Sequence, residues 1–506
     1  MTTGYPTNVL AIDNGGGSLK LGIAGCDAPL RTFPNCLAKP KGERQAAAGD
    51  ALNALQEISQ LSVKRPFDRG YLVNWELERD IWSRCLRTES LQSSQIQIQD
   101  CGLALTEPFF NFPQIQAATE QVVFEEFGFQ SLYAAPAPVF SIRRALDLQT
   151  LGAAAAEDDE PETATADVSS AFGSYLFPED TSYHIVDPIK LAELGSDGAE
   201  LDDSFPHSGD RHPPSGTKAG AGVVIDAGFS FTHIVPFFDG HVISGGVRRI
   251  NVGGRAMTNL LKELVSFRAL DVQDEHVLMD YVKERVCFVS ADSDRDLLLA
   301  SAGRAASHRF RLDYVLPDGV RSFRGSLRLP GKGEGAVRQQ TAIRLREELT
   351  ALPPEERRGP AGLRIQEQIQ ELARAAAQEQ VLRLGSERFM VPEFLFRPSD
   401  MGMQQQGLAE GVMESVLACH AAIQPLLLSN VIVTGGVAKC PGFGSRLIRE
   451  LRSLAPADYP VALWRGPDPV LTAWEGLSHF SASFEYRQLA LTKQQYEERG
   501  AATYGY

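Results

Sequence analysis

Two stretches of the chain share one pattern: an apolar run ending in aspartate and glycine, followed at once by a second apolar run. The first is Val9-Leu-Ala-Ile-Asp13-Asn-Gly15-Gly-Gly17-Ser-Leu-Lys20-Leu-Gly22-Ile, and the second is Gly222-Val-Val-Ile-Asp226-Ala-Gly228-Phe-Ser-Phe-Thr-His233-Ile. Each reads as a β-hairpin whose turn must come close to something. Glycine permits positive φ and close backbone approach, so a row of N–H groups can point at phosphate oxygens. An aspartate at each strand end suits the hydrated metal that accompanies such phosphates. Two copies in one chain point to a duplicated domain closing on a nucleotide from both sides.

The rest of the pattern alternates strand and helix. Gln114 to Glu126 predicts a helix, with Ile115, Ala118, Val122 and Phe124 to Phe127 as its apolar contacts. Leu408 to Leu426 predicts another, closed by Pro425 and leading into the buried strand Val431-Ile-Val-Thr. Gly435-Gly436 then opens a helix from Gly444 to Leu454, a strand-turn-helix geometry common where nucleotides approach α/β folds. Val315-Leu-Pro-Asp-Gly319 predicts a hairpin turn whose return strand is delayed until Val381 to Phe389. Between them lie a helix at about 334–350 and a second one carrying Ile365, Ile369, Leu372 and Ala376 on one face. Pro353-Pro354 and Gly359-Pro360 break the chain between these helices, so a helical hairpin projecting from the body is expected at about 330–382.

Composition and charge sharpen this picture. The 506 residues suffice for two or more domains, and 43% hydrophobic with 22% charged content is ordinary for a globular protein. No apolar run is long enough to span a bilayer, and Met1 to Pro6 does not read as a secretory signal. Seven scattered cysteines without a Cys-x-x-Cys pair predict reduced thiols and argue against zinc ribbons. The formal net charge is −15, but residues 151–220 alone hold fifteen acids against Lys190, Arg211 and Lys218, a net of −12. That segment lacks a sustained apolar period and reads as an acidic, disordered insertion between the two hairpin modules. Residues 301–350 reverse the balance, with ten Arg/Lys against five Asp/Glu. They read as a solvated surface or as a patch facing phosphate or acidic groups.

These residues resemble the actin family over nearly the whole chain outside the two insertions. Asp13-Asn-Gly15 with Lys20 resembles the family's first phosphate loop, and Asp226-Ala-Gly228 with Thr232-His233 resembles the second. Tyr281-Val-Lys283-Glu284-Arg-Val-Cys287 resembles the helix that supplies the nucleoside-side Lys-Glu pair. Thr434-Gly435-Gly436 with Pro441-Gly442 resembles the adenosine motif, and Ala473-Trp474-Glu-Gly476 followed by Thr492-Lys-Gln-Gln-Tyr496 resembles the closing segment. Within the family, Pro66 to Trp75, Leu105 to Phe112 and Val123 to Gln130 resemble a nuclear subfamily of actin-related proteins. The resemblance implies two ribonuclease-H-like α/β halves around a nucleotide cleft. The first would hold 1–150, completed by 477–506, and the second 221–476. The nucleotide-binding residues it implies are Asp13, Gly15, Gly17, Lys20, Asp226, Gly228, His233, Gly254, Lys283, Glu284, Gly435 and Gly436. Asp13 and Asp226 would serve a metal only if a magnesium nucleotide binds.

The departures from the family pattern cluster in that same pocket. The water-positioning glutamine falls on Ala137, which has no group to orient an attacking water. The serine that contacts the terminal phosphate falls on Gly16, and the second-loop aspartate falls on Phe229, which accepts no hydrogen bond. Around the base, a tyrosine falls on Cys440 and a lysine on Val470. No catalytic residue is therefore expected and no cofactor is required, while ATP or ADP with magnesium would bind weakly or structurally. The subfamily resemblance implies a non-polymerising subunit of an SWR-type remodelling complex in the nucleus, and also in the cytoplasm. Such complexes exchange a nucleosomal histone for its variant. The implied partners are a helicase-like ATPase motor, a HIT-type zinc-finger subunit and, through the complex, histones. An actin-like ATPase or nucleotide-dependent switch is the competing reading; a filament is disfavoured by the bulky helical insertion.

Overall fold

The computed structural model describes residues 6, 8–55, 57–87, 91, 96–157, 220–268, 270–302, 310–318, 323–328, 334–357, 359–378 and 380–499. Two sheets of matching design organise them. In the first, the spatial order is Leu491–Thr492, Ser131–Pro136, Cys101–Glu107, Asn8–Asn14, Ser18–Ile23 and Arg31–Pro34. In the second, it is His241–Val242, Thr232–Phe238, Ala221–Ala227, Val431–Thr434 and Leu463–Arg465, with Arg248–Ile250 also pairing with Thr232–Phe238. Each sheet sets an antiparallel hairpin on one side of its central strand and a parallel neighbour on the other. The duplication read from the two motifs is thus a duplication of topology. The central strands are continuous apolar runs because both faces are covered: Leu10, Ala11 and Ile12 are buried in one, Val223, Val224 and Ile225 in the other.

Two helices join the halves. Ala137–Glu157 places Phe140 in the core of the first sheet, while Ile142 and Ala145 pack with Val224, Val235 and Ile432 of the second. Thr472–Ala482 lies along it and buries Trp474, Leu477 and Phe480 against Val9, Ala11 and Ala104. Two glycines permit this approach. A Cβ on Gly22 would sit 2.3 Å from the Trp474 ring, and one on Gly476 would sit 2.0 Å from the Phe140 carbonyl oxygen. The expected boundaries shift accordingly. Residues 472–476 side with the first sheet rather than the second, and the helix from Ala137 runs past 150 to Glu157. The rest of the acidic stretch, 158–219, lies outside the described residues.

Other expectations are met in part. The helix expected from Gln114 is Pro113–Gln121, extended by a wide turn at Val122–Phe127 and stopped at Gly128, whose φ is +76°. The expected continuous helix from Leu408 is two, Leu408–Leu417 and Gln424–Leu428. Pro425 starts the second rather than closing the first, because a first-turn proline gives up no helical hydrogen bond. The delayed return strand is also corrected. Leu312–Val315 pairs with Ser326–Arg328 on one edge and with Val381–Leu384 on the other, and a helix begins at Glu387. The helical hairpin is present as Glu334–Ala351 and Pro360–Gln378. The two helices pack on each other, leaving Ile365, Ile369 and Leu372 half-buried. Among the described residues no helix is long and apolar enough to cross a membrane.

Candidate functional site, a cleft between two phosphate-loop hairpins

The first loop is a connected polar network. Asp13 ends its strand directly opposite Lys20, and the two buried side chains pair at 2.8 Å. The Thr106 hydroxyl donates to the other Asp13 oxygen at 2.7 Å and accepts from the Asn14 N–H at 2.8 Å. Asn35 donates to the Asn14 side-chain oxygen and to the Gly15 carbonyl, which fixes the glycine turn from below. Beneath Asn35 lies the fully buried Glu78, which accepts from Trp82 Nε1 at 2.9 Å. Burial pushes the Glu78 carboxyl up to about 7, against hydrogen bonds from Asn14, Asn35 and Trp82. Ala137 begins the helix after Ser131–Pro136, a strand whose Pro136 pairs with Glu107 beside Thr106. It brings only a methyl group to that edge.

The second loop repeats the backbone and changes the chemistry. Asp226 stands opposite His233 in the register that sets Asp13 opposite Lys20. Burial pushes the half-buried Asp226 carboxyl up to about 6, reinforced by Asp13 and partly relieved by Lys20. Asp13, Lys20 and Asp226 therefore share one electrostatic neighbourhood. His233 Nε2 is buried with no hydrogen-bond partner, and burial with the nearby Arg249 charge holds its imidazole down to about 4, neutral at physiological pH. Its ring lies 5.8 Å from Phe109 and 5.4 Å from Phe231, so it joins an aromatic cluster rather than a hydrogen-bonded one. The Arg249 guanidinium stacks 3.6 Å from the Phe231 ring centroid and donates to the Tyr71 hydroxyl.

The first half's outer segment presses onto this surface. Gly70, with φ +73°, lies so close that a Cβ would meet the Phe231 ring at 2.1 Å. Ile58 inserts among the buried residues of the second half, and the Gln60 N–H donates to Glu275 at 2.8 Å. Phe229 packs on the first loop, where a Cβ on Gly17 would be 2.8 Å from the ring, and Arg65 lies 4.5 Å over that ring.

The base side of the cleft is more open. Gly435 has φ +91° and backs onto the Ala227 carbonyl, while Gly436 has nothing within 4 Å of where a Cβ would project. The helix Gly254–Arg268 starts against the second loop, with the Gly254 N–H donating to the Gly228 carbonyl at 3.0 Å. Lys283 donates to the Gly254 carbonyl at 3.0 Å, to Thr258 at 2.9 Å and to Asp280 at 2.6 Å. Burial alone would raise the Asp280 carboxyl, but Lys283 and Thr258 hold it below its ordinary value. Lys283 is thus engaged by its own wall, and Glu284 beside it is exposed. Gly15, Gly17, Gly228 and Gly435 lie in the connections that follow their strands, and Gly254 and Gly436 open helices.

Several residues here escaped the sequence reading: Arg65, Thr106, Asn35, Glu78 and Asp280. Asp280 had a signal in its spacing, three residues before Lys283 on one helix face. Thr106 and Arg65 had none, because only the folded sheet and the docked outer segment bring them to the loop.

The sheets, the paired loops and the glycine-lined cleft define a class of protein that comparison with known sequences identifies. The actin family profile matches residues 4–504, and the chain belongs to the actin family. It is 35% identical to actin-related protein 6 of Oryza sativa subsp. indica, over 98% of this chain and 97% of that protein. It is 33% identical to actin-related protein 6 of Arabidopsis thaliana, over 98% of both chains. For actin-related protein 6 of Drosophila melanogaster the identity is 31%, over 97% of both. These relatives match over nearly their whole length, so the subfamily resemblance read from Pro66–Trp75, Leu105–Phe112 and Val123–Gln130 is borne out.

Proposed function

We propose that this chain is a non-catalytic, actin-related subunit of an SWR-type chromatin-remodelling complex, acting in the nucleus and also present in the cytoplasm. In this reading it takes part in assembly and nucleosome coupling during exchange of a core histone for its variant, and so in transcription regulation. Its partners are the helicase-like ATPase that drives the complex, a HIT-type zinc-finger subunit and, through the complex, histones. The carrying observation is an actin body kept whole around a cleft that lacks polar groups where hydrolysis needs them. Ala137 offers a methyl group, and Phe229 packs an aromatic ring on Gly17. A body that keeps its shape and loses its hydrolytic groups serves as a surface for partners.

The retained Asp13–Lys20 pair and the open Gly435-Gly436 turn favour one further role, weak or structural nucleotide binding without turnover. A nucleotide-dependent switch is the version of this reading in which binding moves the two halves. Single-turnover hydrolysis on the purified chain tests the non-catalytic reading, with no product expected above the uncatalysed background. Ala137→Gln is expected to stay inactive, because Gly16 and Phe229 still supply no polar contact. Phosphate release at an actin-like rate by that single variant would sink the claim that the pocket is broadly eroded. Co-purification with the ATPase and zinc-finger subunits, followed by a histone-exchange assay of the assembled complex with and without this chain, tests the assembly role.

A further inference from the structure

Part of the phosphate end of the cleft is closed by the protein's own side chains. The Phe229 ring lies on the Gly17 backbone, at a distance that leaves no room for even a methyl group. Arg65 covers the ring at 4.5 Å, in the range of a favourable cation–π contact. The same guanidinium donates to the Gly16, Gly17 and Asn35 carbonyls at 3.3–3.4 Å. Three segments therefore meet at one point: the first loop, the second loop and the outer segment of the first half.

The donor set fits a divalent cation poorly, because of the two loop carboxylates only the half-buried Asp226 is left to face one. One Asp13 oxygen takes Lys20 and the other takes Thr106. Phe229 has no lone pair to offer a hydrated ion, and two fixed positive charges, Lys20 and Arg65, face the same loop. Both cations suit phosphate oxygens, for which arginine provides a fork of donors. At the other end, Gly436 leaves space open.

We propose that this cleft takes a nucleoside diphosphate without a divalent metal, with Arg65 and Lys20 neutralising its phosphates and Phe229 closing the cleft to a third phosphate. The proposal rests on the nucleotide-binding reading above. It also makes Arg65 and Phe229 a direct bridge between the two halves, in place of a metal-bound phosphate chain.

The test is calorimetric titration of the full-length chain, stripped of nucleotide, with ADP or ATP, each in EDTA and in magnesium. ADP is expected to bind equally well in both buffers and about tenfold more tightly than ATP, a difference of about 1.4 kcal/mol. Phe229→Asp removes the ring and supplies an acceptor, so magnesium-ATP should gain about tenfold relative to ADP. Arg65→Met should weaken ADP in EDTA by a similar factor. Tighter binding of magnesium-ATP than of ADP by the unaltered chain overturns the proposal and leaves the nucleotide reading standing. Absence of binding by ADP and ATP in both buffers removes the two together. The unaltered chain decides between these outcomes even if a variant fails to fold.

Discussion

The two hairpins share a backbone and a register but not a chemistry. In the first, an aspartate faces a lysine, and Thr106, Asn14, Asn35 and Gly15 form a connected set in which Asn35 Oδ1 and Glu78 Oε2 are the atoms left without a partner. In the second, an aspartate faces a neutral histidine whose Nε2 has no partner, and the surrounding positions are aromatic. A densely connected buried network rigidifies a site, whereas an unpaired polar atom costs free energy and persists only where other packing or hydrogen bonding compensates. The first loop therefore keeps its form through hydrogen bonds, and the second through Phe229, Phe231 and the outer segment pressed upon it. The duplication preserved the frame in both halves while the polar chemistry survived in only one.

The largest effect expected from this contrast is at Lys20. Lys20→Met leaves Asp13 buried beside Asp226 without its cation and should destabilise the chain by about 3–5 kcal/mol. Denaturant unfolding of the variant, with the midpoint followed by tryptophan fluorescence, measures it. A companion change of Asp13→Leu should recover much of the loss, because it removes the stranded charge. A loss in Lys20→Met under about 1 kcal/mol would mean the pair is solvated like a surface ion pair, and the contrast between the loops would collapse.

Asp226 offers an intermediate effect of the opposite sign. Its folded carboxyl sits at about 6, above its ordinary value of 3.8. Between those values the native state holds a proton that the unfolded chain has released, so stability falls as pH rises through that window. Above pH 6 the whole penalty is present. Asp226→Asn should then stabilise the protein at pH 7.5 by about 1–2 kcal/mol, less than the full shift implies because the group is half-buried and screened. The gain should vanish below about pH 4, where the unfolded carboxyl is protonated too. Thermal melts of both proteins across pH 4 to 8 should show curves that separate as pH rises. Parallel curves would mean Asp226 has an unperturbed carboxylate.

How much of this was legible in the sequence follows from the range of each interaction. Glycine and aspartate at strand ends announced both hairpins, because turn geometry is local. The helical hairpin was legible from periodicity for the same reason, while the Lys283 helix was legible only through its resemblance to the family's helix. Pro425 was misread because a proline can stop one helix or start the next, and only the Cys419–Ile423 connection decides which. The boundary near 476 was misplaced because Trp474 is assigned to a half by the pocket under Gly22, more than 450 residues away in sequence. Phe229 was seen as a lost acceptor. That it fills the space against Gly17, with Arg65 over it, required the two loops to be placed face to face.

The smallest effect at neutral pH should come from His233, and it bears most directly on how the second loop is held. If the ring acts as one aromatic among Phe109 and Phe231, His233→Phe keeps the packing and removes an unsatisfied nitrogen. At pH 7.5 the change in stability should stay within about 1 kcal/mol, in either direction. The sign becomes definite in acid. The native imidazole is held down to about 4, against an ordinary value of 6.5, so between those values the unfolded state binds the extra proton. The unaltered chain therefore loses stability as pH falls from 6.5 towards 4, and the phenylalanine variant does not share that loss. At pH 5 the variant should lead by about 1–2 kcal/mol, read as a higher melting temperature. A loss above about 2 kcal/mol at pH 7.5 would instead mean that Nε2 holds a hydrogen-bonded partner in solution. The second loop would then be kept in shape by polar contacts, as the first is.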